Sequence, residues 1–149
     1  MNRIRPRHRA AGTVLFLLYL ACLIYFLFFA EALGRSGSEL YHYNLEPLKE
    51  IRRFWLYRES LGIGAFLLNT LGNVLAFLPF GFFLPIVSGR CHDFLTLFFS
   101  GALFSGGIEL IQLLTRLGSF DVDDILLNTV GAVLGYLIFR MCIWRLERV

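Results

Sequence analysis

The 149-residue chain carries 14 Lys and Arg against 11 Asp and Glu, a formal net charge of +3, and only 17% of its residues are charged. Hydrophobic residues make up 57% and mean hydropathy is +0.66, whereas about a quarter of a water-soluble domain is charged. This balance excludes an ordinary soluble domain, and at ~20 residues per crossing the length accommodates about four membrane spans. Cys22, Cys91 and Cys142 are odd in number and lie in separate segments, so they form neither a disulfide framework nor a metal motif. No cofactor is expected.

The chain opens on a basic leader with Arg3, Arg5, Arg7, His8 and Arg9. The first predicted span follows, about 10–32. Ala30-Glu31-Ala32 resembles a cleavage site, but the apolar run before it exceeds the ~7–15 residues of a signal-peptide core. A retained helix is expected, with the arginines as its cytoplasmic anchor and not as a nucleic-acid contact. From Leu33 to Ser60 the sequence turns polar and mixed. Within it Leu45, Leu48, Ile51 and Trp55 recur at near-helical spacing. This predicts an amphipathic helix along the membrane surface, with Tyr41, Tyr43, Trp55 and Tyr57 at headgroup level. Asn44 and Pro47 suit a turn before it.

The second span is predicted over 63–87, with Asn69 and Asn73 one turn apart on one face. Pro79-Phe80-Gly81 is expected to kink it and Pro85 to close it. A tight connection, Ser88 to Asp93, leads to the third span, 94–117. Small residues crowd it (Ser100, Gly101, Ala102, Ser105, Gly106, Gly107), allowing another helix to approach closely. Glu109, Gln112 and Arg116 follow at i, i+3 and i+7 and form one stripe. An acidic turn, Asp121, Asp123 and Asp124, precedes the fourth span, 124–144. That span carries Asn128 and a Gly131-x-x-x-Gly135 stripe, which suits packing within the chain or a homo-oligomer equally well. The predicted fold is all-α, a single membrane domain of four transmembrane helices with an amphipathic interfacial helix in the first outer loop.

Four crossings put both termini on one side. The leader outweighs Arg35 at the first span, so the termini are expected in the cytoplasm. Asn69, Asn73, Glu109, Gln112, Arg116, Asp121, Asp124 and Asn128 then gather in the outer half, with Glu109 roughly 12 Å below the outer end of its helix. The inner halves are almost purely apolar. One-sided polarity predicts an outward-facing groove and argues against a transport path.

Each polar group also has a structural use. Asp121 suits the N-cap of the last helix with Asp124 at N3. The amides suit hydrogen bonding between helices as well as ligand contact. Arg116 is expected to pair with Asp121 or Asp124 at the outer mouth. Glu109, with no cation near it in sequence, is expected to be protonated or bonded to the asparagines. It is the candidate for more than a structural role.

Four ordered motifs now stand together: Asn44-Leu-x-Pro47; Asn69-x-x-x-Asn73-Val-x-x-Phe77-x-Pro79-x-Gly81; Glu109-x-x-Gln112-x-x-x-Arg116; and Asp121-x-Asp-Asp124-x-x-x-Asn128-Thr-x-Gly131-x-x-x-Gly135-Tyr136. Over about residues 44–136 they resemble the VanZ-like family of membrane proteins. Leu48 departs from the Phe frequent in the family, which reads as a tolerated packing change. The resemblance implies a small multi-pass protein of the bacterial cell membrane, in a family whose named member contributes to resistance to the glycopeptide teicoplanin. Two functions fit. In the first, the groove holds an envelope component, a lipid-linked cell-wall precursor or a lipoglycopeptide tail, with Arg116 on a phosphate and the amides on sugar or peptide. In the second, an enzyme acts on a lipid-linked substrate at the outer leaflet. Glu109 would be its acid or base, and Asp121, Asp123 and Asp124 would hold a metal. No Ser-His or Cys-His arrangement supports catalysis, so binding ranks first. Membrane lipids are the expected surroundings.

Overall fold

In the computed structural model, residues 6–27, 43–57, 63–88, 93–116 and 118–146 are described. Arg3 and Arg5, the last residues of the first expected span, Arg35, Tyr41, Arg58, the centre of the 88–93 connection and Arg148 lie outside them. Among the described residues seven elements follow in order: α1 (Pro6–Tyr25), β1 (Tyr43–Asn44), α2 (Lys49–Leu56), α3 (Ile63–Ser88), α4 (Phe94–Thr115), β2 (Phe120–Asp121) and α5 (Val122–Leu146). The four long helices are each apolar and long enough to cross a bilayer, as the apolar runs predict.

Contacts at opposite ends fix the alternating direction of these helices. At one end Arg9 donates from Nε and Nη2 to the Val87 carbonyl, at 3.2 and 2.9 Å. A cation thereby meets the negative pole of the α3 dipole. At the other end Gln112 Nε2, near the end of α4, donates to the Leu27 carbonyl at 3.1 Å. Asp93 starts α4 by accepting the Thr96 N–H at 2.8 Å.

Helix α3 runs through Pro79 and Pro85 to Ser88, so Pro85 does not close it. Pro79 has no N–H to give to the carbonyl one turn back, and its ring crowds that turn. The Tyr19 hydroxyl of α1 donates to the adjacent Ala76 carbonyl at 2.7 Å. A neighbouring helix thus supplies a donor where the proline weakens the ladder.

The closest helix pair is α3 with α5, and glycines make it possible. A Cβ at Gly81 would overlap the Ala132 carbonyl, one at Gly131 the Val74 carbonyl, and one at Gly135 the Leu78 carbonyl. The Gly131/Gly135 stripe is therefore used inside the chain, backbone against backbone, as membrane helices associate where lipid supplies no hydrophobic drive. Beside it lies an aromatic core. Phe77 is fully buried, and Phe80 stacks on Phe104 with centroids 4.8 Å apart and planes at 9°. Large apolar side chains such as Leu17, Leu95, Leu103 and Leu114 remain exposed, and a bilayer is the medium that covers them.

Two features were not visible in the sequence. β1 and β2 pair in parallel, Tyr43 with Phe120 and Asn44 with Asp121, which ties the first long loop to the start of α5. Leu48 precedes α2 in the left-handed region, with φ 65°, a conformation costing a non-glycine residue about 1–2 kcal/mol.

A polar cleft at one end of the bundle

Asp123 explains how Leu48 is held there. This carboxylate is 1% exposed, and one oxygen accepts the Leu48 N–H while the other accepts those of Glu50 and Ile51, at 2.8 and 3.3 Å. Helix α2 has no capping side chain of its own; a residue of α5 supplies the missing acceptor. The carboxylate anticipated as a weak metal ligand is thus committed to backbone donors. Among the described residues no three His, Cys, Asp or Glu side chains converge as metal ligands would.

Asp121 caps α5, its Oδ1 accepting the Asp123 N–H at 2.8 Å and the Asn44 amide at 3.1 Å. Asn44 Oδ1 in turn accepts the Glu46 N–H at 3.2 Å, which shapes the turn before α2. Burial pushes the Asp121 carboxyl above its ordinary range, and the charge of Asp123 adds to this. The Asp123 N–H, the Asn44 amide and the Arg53 charge oppose the rise. Asp124, on the next turn, accepts from Asn73 Nδ2 of α3.

Glu109 is 4% exposed, and its Oε2 accepts the Asp121 N–H at 2.9 Å. This bond ties α4 to the backbone of the acidic turn. Asn128, 3% exposed, donates from Nδ2 to Ser105 Oγ of α4 at 2.9 Å, so small residues of α4 give its amide a polar partner as well as close packing. Gln112 is buried.

Together these groups line a cleft of 470 Å³, whose wall includes Asn69, Asn73, Glu109, Gln112, Asp121, Asp124 and Asn128. Seven of the eight anticipated ligand contacts therefore share one cavity. Arg116 does not line it: this residue ends α4 in the left-handed region, with φ 57°, and its side chain is exposed. Among the described residues the lining cation is Arg53 of α2, 2.7 Å from Glu50. Tyr43, Asn44, Glu50, Arg53 and Ser119 were not among the expected contacts. Only the motif Asn44-Leu-x-Pro47 hinted at this loop.

The profile of the VanZ/LLP1 family matches residues 16–145 of the chain. The chain belongs to this family. A VanZ/LLP1 relative, Protein VanZ of Enterococcus faecium, is 30% identical over 127 residues, covering 83% of this chain and 70% of the relative. No solved structure matches. The matched span includes all four motifs, and with them every residue named above as lining the cleft. With four helices able to span a bilayer, this VanZ/LLP1 chain is a multi-pass membrane protein.

Proposed function

We propose that the cleft opens on the outer face of the cell membrane and binds the polar portion of a cell-envelope component, a lipid-linked wall precursor or the tail of a lipoglycopeptide. The observation that carries this is convergence: polar side chains of α2, α3, α4 and α5 meet in one cavity at the end of the bundle opposite Arg9. Buried polar groups are expensive in a bilayer and mark sites that face a cavity. Arginine-rich ends belong in the cytoplasm, which turns the cleft outward. Amide and carboxylate acceptors suit hydroxyl and N–H groups of sugars and peptides. Among the described residues Arg53, paired with Glu50, takes the place of Arg116 as the lining cation. Kinship with Protein VanZ fits an envelope role that touches glycopeptide sensitivity.

Native mass spectrometry of the full chain, solubilised from bacterial membranes, tests the binding. A lipid-linked envelope component should co-purify with it, and Asn69→Leu combined with Gln112→Leu should release that component. A chain carrying none from native membranes overturns the proposal. In a background with the native cysteines replaced by serine, Ser119→Cys should react with an impermeant maleimide applied to intact cells. Labelling only after permeabilisation would reverse the orientation.

A further inference from the structure

Two buried polar atoms among the described residues have no hydrogen-bond partner, Thr70 Oγ1 and Asn128 Oδ1. Of these residues, Asn128 lines the cleft. Its amide is already given to Ser105, while its carbonyl oxygen lacks the donor that nearly every buried acceptor finds. Leaving such an atom unsatisfied carries the full desolvation cost of the group. An arriving donor would recover that cost.

The charge around it selects the kind of donor. The described lining residues include four carboxylates, Glu50, Glu109, Asp121 and Asp124, against one guanidinium, Arg53. An anion would meet net repulsion there, and a neutral hydroxyl would gain nothing from the charge. A bare metal ion is poorly served, because among the described residues no three His, Cys, Asp or Glu side chains converge as ligands. A primary ammonium offers three N–H donors and a positive charge on a compact head. The geometry points to an ammonium group on the occupant, seated in the cleft with Asn128 Oδ1 as one of its acceptors and the lining carboxylates as its counter-charge. This deepens the reading of the cleft as a binding site for an envelope component and rests on it.

The test uses the full chain in phosphatidylcholine nanodiscs and three single-chain probes: dodecylammonium, dodecyltrimethylammonium and dodecanol. Thermal unfolding should shift upward, saturably, with dodecylammonium. Its apparent affinity should exceed that of the trimethyl and alcohol probes at least tenfold, since one lacks donors and the other charge. Asn128→Leu, close in volume, should lose this preference. Asn128→Asp, which retains a polar partner for Ser105, should tighten dodecylammonium binding and supplies the readout if the leucine variant does not fold. Equal responses to the three probes, or a preference unchanged in both variants, would overturn the assignment. If envelope lipids co-purify and none carries an amine, the ammonium assignment fails while the binding reading stands. If none co-purifies, the binding reading itself fails.

Discussion

Replacing Asp123 with alanine tests how the cleft is assembled. Its carboxylate accepts three backbone N–H groups at the start of α2, from Leu48, Glu50 and Ile51. Loss of a helix cap costs about 1–2 kcal/mol. Two further bonds at a net value of ~0.5–1 kcal/mol each, discounted because water can reach the released donors on the exposed side of the loop, bring the total to about 2–3 kcal/mol. An eight-residue helix cannot hold itself in isolation, so the loss should fall on α2 alone. At 1.4 kcal/mol per factor of ten, opening of α2 should increase about 30- to 140-fold. Hydrogen exchange resolved by segment, on protein in detergent or nanodiscs, reads this directly. Peptides covering 49–57 should lose protection by that factor, while those from α3 and α5 keep theirs. Unchanged protection in α2, or loss spread evenly through the bundle, would refute the idea that one α5 carboxylate organises the loop. Glu50 and Arg53 line the cleft from α2, so ligand retention should fall with the protection.

Gly135→Ala should destabilise the protein by at least ~1–3 kcal/mol, the usual cost of overpacking, because the new methyl meets the Leu78 carbonyl and the Phe82 nitrogen. Gly107→Ala, where no atom other than its chain neighbours and the backbone of its own helix lies within 4 Å of the added carbon, should instead be neutral or stabilising by up to ~1 kcal/mol. Equal effects of the two in a detergent unfolding assay would remove the α3–α5 glycine contact from the account. The raised carboxyl of Asp121 predicts a pH dependence whose sign is fixed. The folded state holds this proton more tightly than the unfolded chain, so its contribution is present below the unfolded value of 3.8. That contribution is lost as pH rises through the folded value above it. Asp121→Asn keeps the acceptor for the Asp123 N–H and should flatten that slope in a thermal stability series. A slope unchanged by the substitution would assign it to other carboxylates.

How much of the site could be read in the chain depended on which side chains announce themselves. Asn69, Asn73, Glu109, Gln112 and Asn128 stand out because each interrupts an apolar helix, and a polar group there needs a protein or cavity partner. Arg53 and Glu50 sit in a charged loop where charge is unremarkable, so nothing marked them as lining residues. Asp123 looked like one acidic residue among three, whereas its partners lie 72 to 75 residues away. Arg116 continued the helical stripe on paper, but the helix ends at Thr115, and one left-handed residue sends its side chain elsewhere. Pro85 signals a helix end in water. Here α3 passes through it, since the chain around it is apolar and membrane surroundings favour a continued ladder.

By itself the sequence determined the medium, the four spans, their alternation and the level at which polar groups collect. These follow from apolar run length and the cost of unpaired polar groups in lipid, both local properties of the chain. Only the tertiary structure decided that α3 and α5 meet through Gly81, Gly131 and Gly135, and that β1 docks beside β2. The same holds for Asp123 capping a distant helix and for Asn128 keeping an unfilled acceptor. Those outcomes depend on which surfaces fit at van der Waals distance and which donors reach which acceptors. Such pairings join segments far apart in the chain, and no local pattern encodes them.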